Sequence, residues 1–343
     1  PPKEFKSKSI HQHHNVDVII VGGGLSGLLA ARKFAGTNYD VLLVEREDAL
    51  GGVLKNADKI KSINDQPADE WLEKTERLIR NSNNIKILKN TLVTTYNFSD
   101  HLIALEDKNV GKPQDNEKPE LVLHKIRTKH TILANGHIER FITFRNNDLP
   151  GVMLAASFEK YLNRYGVVPD ESPVIFTNNS STFSLLKSLT DLGHKPKAYV
   201  DIRDQKKIEK ETVDLIEKYN IPFFPKSEIE GCEGQKEVKK VSIRTKKNQI
   251  SKIKTSMLCV SGGFNPDIHL FTQSKGLLKW DKDHLTFKPD RIFQKTITLG
   301  SVSGNFSYEK LLVEVEKKLS KFEGLNELEV KFELNGPEKF QIK

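Results

Sequence analysis

The chain has 343 residues and a formal net charge of +8, from 54 lysines and arginines against 46 aspartates and glutamates. This length suffices for one very large domain or two ordinary ones, and we expect two. The basic residues are interleaved with acidic ones and form no single stripe, so the charge predicts a solvated surface and no nucleic-acid partner.

The two cysteines, Cys232 and Cys259, lie far apart and form no Cys-x-x-Cys pair, which argues against dithiol chemistry and for a reducing compartment. No apolar run approaches the roughly 20 residues that a membrane-spanning helix needs, and no signal-peptide pattern is present. We therefore predict a soluble, cytoplasmic protein with no membrane partner. The Pro-Pro start and the apolar alternation at Leu328–Leu334, close to the last residue, suggest part of a longer chain.

Residues 1–16 are polar and without periodicity, so we expect a linker there. The histidines at His11, His13 and His14 are of a metal-binding type. No second pair of ligands follows at a useful spacing, and we predict no metal site.

A dinucleotide-binding βαβ pattern begins at Asp17. The apolar run Val18–Val21 has the length of a buried parallel strand, and Leu25–Phe34 is helical in pattern. Between and within them stand three glycines in the spacing G-x-G-x-x-G, namely Gly22, Gly24 and Gly27. In this motif the first glycine permits the tight turn, the second lets the backbone approach a diphosphate, and the third lets the helix pack on the sheet. Because free N–H groups and the positive dipole end of the helix point at this turn, we predict a diphosphate there.

A second strand, Val41–Val44, ends at Glu45, where the motif places an acid on the adenosine ribose hydroxyls. This carboxylate would repel a 2′-phosphate and so disfavours NADP, but the spacing alone does not separate NAD from FAD. Arg46 either contacts the nucleotide or is a solvated charge. The pair Gly51 and Gly52 would let the chain pass close to a bound dinucleotide.

The rest of the chain predicts further helices and strands, among them a second βαβ unit. Apolar runs and helical spacing indicate further elements at Trp71–Arg80, Ile85–Leu88, Thr91–Tyr96, Leu102–Glu106, Glu120–Ile126, Thr131–Gly136, Ala155–Tyr165, Pro173–Thr177, Thr182–Leu192, Lys197–Val200, Glu209–Tyr219, Lys236–Lys252, Ser256–Val260, Thr296–Leu299 and Phe306–Leu319. A polar loop covers residues 107–119. The turn of the second βαβ unit, Thr177–Ser181, contains no glycine, so we expect that this unit has lost its nucleotide.

Several stretches go beyond a generic fold. They are Asn135–Arg140, Asn146–Ala155, Tyr161–Val167, Phe176–Asn179 and Val260–Pro266 with His269 and Leu270. Together they resemble the alpha subunit of heterotetrameric sarcosine oxidase, from about His14 to Leu312. The resemblance implies an α/β protein with the two-dinucleotide-binding-domain flavoprotein fold of disulfide reductases, with parallel Rossmann-type sheets and an inserted second domain.

We accordingly expect a discontinuous dinucleotide-binding domain at residues 17–150 and 265–320. Residues 151–264 would form the second Rossmann-like domain, with a degenerate nucleotide site. Residues 321–343 would begin a further C-terminal region.

The resemblance also implies a function. The family oxidises sarcosine with oxygen to glycine and hydrogen peroxide and passes the one-carbon unit to tetrahydrofolate. Its alpha subunit binds NAD, whereas FAD and FMN lie in or are shared with partner subunits among the beta, gamma and delta chains. The amine substrate is handled by the complex, and we assign no residue of this chain to it.

The expected cofactor-binding residues come from the glycine pattern and from the resemblance. They are Gly22, Gly24, Leu25, Ser26, Gly27, Glu45, Arg46, Gly52, Val53, Val93, Ala134, Gly136, Ser301 and Phe306. Ser301 stands where FAD-binding relatives of this fold have an aspartate, which disfavours FAD.

Some features depart from the family or leave alternatives open. Asn135 and His137 replace the family's usual Thr and Ala. His137, Glu139 and Arg140 form the most polar cluster near the expected cofactor, which we interpret as structural, and we assign no catalytic residue. The alternatives are the alpha subunit of an FAD-dependent opine or proline dehydrogenase, and a scaffold whose NAD is structural. Structural and regulatory roles of NAD are not distinguished.

Overall fold

The computed structural model describes residues 10–108, 121–168 and 171–337. The strands are, in chain order, β1 (Ile10–Val21), β2 (Val41–Val44), β3 (Ile60–Ile63), β4 (Gln66–Pro67), β5 (Ile85–Leu88), β6 (Thr91–Asn97), β7 (His101–Asp107), β8 (Leu121–Leu133), β9 (His137–Glu139), β10 (Val152–Leu154), β11 (Val174–Thr177), β12 (Ala198–Asp201), β13 (Phe223–Pro225), β14 (Glu228–Glu233), β15 (Lys240–Arg244), β16 (Ile250–Lys254), β17 (Leu258–Ser261), β18 (Phe264–Pro266), β19 (Leu277–Asp281), β20 (Thr286–Arg291), β21 (Thr296–Thr298) and β22 (Phe332–Leu334).

The α-helices are α1 (Leu25–Phe34), α2 (Val53–Asn56), α3 (Ala68–Arg80), α4 (Ala155–Tyr165), α5 (Phe183–Asp191), α6 (Lys210–Lys218), α7 (His269–Gln273) and α8 (Tyr308–Leu319). Short 3-10 turns lie at Ser180–Thr182, Gln205–Lys207 and Gly300–Ser303. Among the described residues, no helix has the length and apolar character that a bilayer crossing requires.

The first sheet has the strand order β5-β2-β1-β8-β7-β6, and β21 also pairs with β8. The strands β5, β2, β1, β8 and β21 run parallel, while β6 and β7 are antiparallel additions. β2 is buried at every residue, as a parallel strand covered on both faces should be. One core cluster lies under α1, α3 and α8 and a second lies on the opposite face.

The first strand is longer than the sequence indicates. Residues 10–16, predicted as part of a linker, belong to β1 and pair with residues 122–128 of β8. The prediction was wrong for these residues because His, Gln and Asn give no apolar signal. Their backbone groups are nevertheless satisfied by the neighbouring strand.

β8 unites two predicted elements. Residues 121–126 of the predicted strand Glu120–Ile126 and the apolar run that starts at Thr131 belong to one strand of 13 residues. Its first part alternates between buried and exposed residues and its last residues are all buried. The change in pattern follows the change in cover, from a half-solvated meander to the parallel centre of the sheet. Most of the predicted loop 107–119 lies outside the described residues.

The second sheet is parallel throughout, in the order β10-β17-β11-β12-β13. Helices α4 and α5 pack with its strands around a core that includes Phe158, Leu185 and Tyr199. The predicted charged hairpin is present as β15 and β16, and β14 adds a third antiparallel strand. Cys232 and Cys259 are buried and unbonded to each other.

The last described residues pack on the first sheet's helices. Phe322 is buried in the core beside Phe34, and β22 pairs with β3. Residues 321–337 therefore extend the first unit, whereas the sequence suggested the start of another region. That assignment missed them because their partners lie more than 200 positions earlier in the chain.

Candidate functional site

The turn from β1 into α1 is built by close backbone contacts. A Cβ on Gly27 would lie 1.8 Å from the carbonyl oxygen of Gly22, and a Cβ on Gly22 would lie 2.4 Å from that of Ala134. Gly22 also has a φ of +104°, which favours glycine. Two of the three motif glycines are therefore required for the packing of the helix on the sheet.

Gly24 has a different environment. A Cβ added there would meet no atom within 4 Å, and its φ and ψ of −73° and −175° are open to any residue. It caps α1 without a side-chain hydrogen bond, and the first turn of that helix holds no acidic residue. The open glycine and the uncapped helix start together leave space and N–H donors for an anion, so the turn fits a diphosphate.

Glu45 follows β2 and faces this turn. Its side chain is only 8 % exposed, and its Oε2 accepts the Gly23 N–H at 2.6 Å while its Oε1 accepts the Glu47 N–H at 2.8 Å. A carboxylate has about four lone-pair positions, so acceptor capacity remains for ribose hydroxyls. The Glu45 carboxylate therefore holds the glycine turn in place. It also lies at the end of β2, where the motif predicts an acidic residue.

The second glycine pair lies against the first turn. Gly51 donates its N–H to the Gly23 carbonyl at 2.8 Å, and a Cβ on Gly52 would lie 3.0 Å from the Cα of Gly24. Gly52 has a φ of +53° and precedes Val53, the first residue of α2. The predicted close passage of this segment is thus made against the backbone of Gly23 and Gly24.

Three other expected contact residues, Leu25, Val93 and Arg46, expose different groups to a ligand. Leu25 and Val93 are buried in the two core clusters, so they have only main-chain atoms to offer a ligand. Val93 lies two residues beyond Thr91, whose N–H donates to the Glu45 carbonyl at 2.9 Å. The side chain of Arg46 is 65 % exposed and its Nε lies 3.7 Å from Glu47 Oε1, which is the geometry of a solvated charge.

The turn at Gly300 brings the remaining expected residues to the helix start. A Cβ on Gly300 would lie 2.1 Å from the hydroxyl of Ser26. Ser301 follows, and its Oγ lies 3.0 Å from Nδ1 of His137. Phe306 lies beside them, with its ring centroid 6.0 Å from that of His137. Gly136, with a φ of +87°, immediately precedes that histidine.

Two neighbours of His137 are engaged elsewhere. Glu139 Oε2 accepts the Ala156 N–H at 2.8 Å, in the first turn of α4, and Arg140 donates to the carbonyl of Leu285 at 2.8 Å. These contacts suit the structural interpretation of that cluster. Burial raises the pKa of Glu139 to about 7, opposed by hydrogen bonds from Ser261 and the Ala156 N–H.

Glu159 was not identified from the sequence. It belongs to α4 and lies near Glu139 of β9. It is 3 % exposed, and its Oε1 has no hydrogen-bond partner among the described residues. Burial raises its pKa to about 7, and the nearby charge of Lys59 opposes this. A glutamate on an otherwise amphipathic helix gives no sequence signal of burial.

The corresponding turn of the second unit is filled by its own side chains. Asn179 accepts the Ser181 N–H at 2.9 Å and donates to the Ser261 carbonyl at 3.1 Å, and the two serine hydroxyls lie 3.0 Å apart. All three residues are buried.

An internal ion pair completes this polar filling. Asp201, at the end of β12, is fully buried and lies 2.8 Å from Arg203, which also donates to Ser180 Oγ at 3.0 Å. Burial raises the pKa of Asp201, and Arg203 opposes that shift. The guanidinium thus binds a group at the turn before α5. This geometry supports the predicted loss of the second nucleotide, which stays a prediction.

The histidines near the start of the chain belong to β1. His14 Nε2 lies 2.9 Å from His124 Nδ1, and His124 Nε2 lies 3.0 Å from Glu106. Within the part of the chain that the structure covers, no group of three or more His, Cys, Asp or Glu residues is placed to hold a metal ion.

The chain is similar to several known proteins. The family model described as an NAD(P)-binding Rossmann-like domain matches residues 20–69. The sarcosine oxidase subunit alpha of Corynebacterium sp. strain U-96 is 29 % identical over 88 % of this chain and 32 % of its own length. The chain spans about a third or less of the curated alpha subunits it matches.

Solved structures show the same fold. An L-proline dehydrogenase from P. horikoshii has a TM-score of 0.61 at 21 % identity, covering 92 % of this chain and 57 % of that one. A thioredoxin reductase from T. acidophilum has a TM-score of 0.63 at 16 % identity, covering 89 % and 96 %. The predicted fold class and the resemblance to sarcosine oxidase alpha subunits are confirmed.

Proposed function

We propose, from the relation of this chain to the alpha subunits of sarcosine oxidase, that it is the NAD-binding part of such a subunit. The complex would oxidise sarcosine with oxygen to glycine and hydrogen peroxide and pass the one-carbon unit to tetrahydrofolate. FAD and FMN would lie in or be shared with the partner subunits. NAD, when bound, would supply a nicotinamide ring that accepts a hydride in its oxidised form and donates one in its reduced form.

The contrast between the two Rossmann turns carries this proposal. At Gly24 the backbone is open and the helix start is uncapped, whereas at Asn179 the same position is filled by buried, mutually bonded side chains. Of these two turns, the one at Gly24 would therefore be the place for a dinucleotide. The proposed contacts are Gly22, Gly24, Leu25, Ser26, Gly27, Glu45, Arg46, Gly52, Val53, Val93, Ala134, Gly136, Ser301 and Phe306.

The residues of this chain have distinct parts in the proposed binding. The first turn of α1 would hold the diphosphate, Glu45 would accept hydrogen bonds from a ribose, and the main chain at Val93 would border the adenine. None of these residues is proposed to transfer a proton to a substrate. The amine chemistry would lie with the flavin-bearing partners.

The direct test is the identity of the nucleotide released when the purified protein is denatured, by mass and absorbance. Colourless NAD is expected. A yellow flavin would contradict the proposal and favour the alpha subunit of an FAD-dependent dehydrogenase.

A matched pair of variants locates the site. Gly24→Ala is expected to weaken NAD binding at least about tenfold, because the methyl group enters the space left for the diphosphate. Its free energy of unfolding should change by less than about 0.5 kcal/mol, since the added Cβ meets no protein atom. Asn178→Ala, in the second turn, should leave NAD affinity unchanged in calorimetric titration. Loss of NAD binding in the Asn178→Ala variant would instead place the nucleotide in the second unit and contradict the proposal.

A further inference from the structure

His137 lies next to the proposed nucleotide site, at the end away from Glu45. The Gly300 turn contacts Ser26 in the first turn of α1, and Ser301 in the same turn is hydrogen-bonded to His137 Nδ1 at 3.0 Å. Two adjacent residues therefore make the contact with the helix start and the contact with the imidazole. A dinucleotide bound at Gly24 and extending past Ser301 would reach this side chain.

The surroundings of His137 are flat and aromatic. The ring of Phe264 lies 4.2 Å from its centroid at an angle of 62°, and Phe306 lies 6.0 Å away. The rings of Phe264 and Phe306 are stacked at 6.4 Å, and His284 lies 5.3 Å from Phe306. Phe264 is buried and supports the imidazole, whereas Phe306 is partly exposed and offers a surface on which a planar base can pack.

The imidazole itself has one nitrogen unused. Nδ1 faces Ser301, the residue is exposed to solvent, and Nε2 has no hydrogen bond within the described part of the chain. The ordinary pKa of a histidine is about 6.5, so this exposed ring is mostly neutral near pH 7. A neutral imidazole has one N–H donor and one acceptor nitrogen.

We propose that His137 binds the nicotinamide carboxamide of NAD through its free Nε2, with Phe306 packing beside the base. This inference rests on the proposed function and adds a residue that selects the second half of the dinucleotide. A carboxamide offers both a carbonyl acceptor and an NH₂ donor, so either tautomer of the imidazole has a partner.

The test compares NAD with ADP-ribose, which keeps the adenosine, both ribose groups and the diphosphate but lacks the nicotinamide. The full protein, stripped of bound nucleotide, is titrated with each ligand by calorimetry. NAD is expected to bind about tenfold more tightly than ADP-ribose, from one hydrogen bond and the packing of one ring. His137→Ala should bring the two affinities together and leave that for ADP-ribose within about twofold.

Two further variants separate this role from a structural one. His137→Asn keeps a hydrogen-bonding group and should restore part of the preference for NAD. His101→Ala removes an exposed histidine of β7, bonded to the Ser99 carbonyl, and should keep the whole preference. In NMR spectra, the ring nitrogens of His137 should shift on addition of NAD and remain in place with ADP-ribose.

The outcomes distinguish the two proposals. Equal affinity of the unmodified protein for NAD and ADP-ribose would overturn the role of His137 and leave the nucleotide site standing. Equal weakening of both ligands by His137→Ala would also overturn it, because the effect would then be general. Binding of neither ligand would overturn the proposed function together with this inference.

Discussion

Glu45 uses one carboxylate for two purposes, holding the glycine turn and facing the place where a ribose would lie. Its two oxygens accept a buried backbone N–H group from Gly23 and a partly buried one from Glu47. Asp201, at the end of the corresponding strand of the second unit, is instead paired with Arg203. The same kind of side chain thus supports an open site in one unit and fills the site in the other.

Glu45→Ala should destabilise the protein even without nucleotide. Two N–H groups would lose their acceptor, each at a cost of about 1–2 kcal/mol, so the free energy of unfolding should fall by about 2–4 kcal/mol. Urea denaturation of the nucleotide-free protein measures this. Glu333→Ala removes an exposed carboxylate that binds Lys61 and should leave stability nearly unchanged. Equal stability of the two variants would show that the Glu45 carboxylate does not hold the turn.

At the scale of single elements, β1 and β8 are joined well beyond the nucleotide motif. Their pairing runs from Ile10 to Val21, and the relay His14–His124–Glu106 lies along its polar part. Burial and the charge of Lys86 lower the pKa of His14 to about 4. The folded protein therefore favours the neutral form of this imidazole.

This shift predicts an acid-sensitive strand. Because the folded pKa of His14 lies below its ordinary value of 6.5, its contribution is present in full above pH 6.5 and is lost as the pH falls towards 4. With allowance for the partial exposure of His14, its titration should lower the free energy of unfolding by about 1 kcal/mol between pH 7 and pH 5.

The measurement is urea denaturation at the two pH values. His14→Gln should reduce the pH dependence by about that amount, whereas His11→Gln, on the exposed side of the same strand, should not. If both variants keep the slope of the unmodified protein, the pairing of His14 with His124 does not control it.

At the scale of the whole molecule, the two units meet through α4. Lys160 Nζ lies 2.9 Å from Glu47, Arg164 also reaches Glu47 at 3.4 Å, and Glu139 accepts a hydrogen bond from the first turn of the helix. Glu159 on the same helix feels the charges of Asp58 and Lys59 from the first unit. These contacts link the second unit to the loops that border the nucleotide site.

Glu159 should make this junction weaker at high pH. Burial places its folded pKa at about 7, above its ordinary value of 4.5, so its contribution to stability is present below pH 4.5 and is lost as the pH rises through 7. Glu159→Gln is uncharged at every pH. It should raise the free energy of unfolding by about 1–3 kcal/mol near pH 8.5 and change it little near pH 5.

Denaturation of Glu159→Gln at both pH values tests this, with the exposed Glu323→Gln as the control. A stabilisation that is the same at both pH values would mean that the charge of Glu159 is not the cause. Destabilisation near pH 8.5 would mean that Glu159 is needed there as an anion.

The elements of the nucleotide motif were determined by the sequence because their signals are local. Helix α1 and strand β2 lie where the apolar pattern puts them, and the missing glycines around Asn179 already separate the two turns. The tertiary structure decided what lies far apart in the chain. Ser301 meets His137 across 164 positions, and the mostly polar residues 10–16 become a strand because β8 pairs with them. Contacts of this kind leave no periodic trace, since each partner alone has the pattern of an ordinary surface residue.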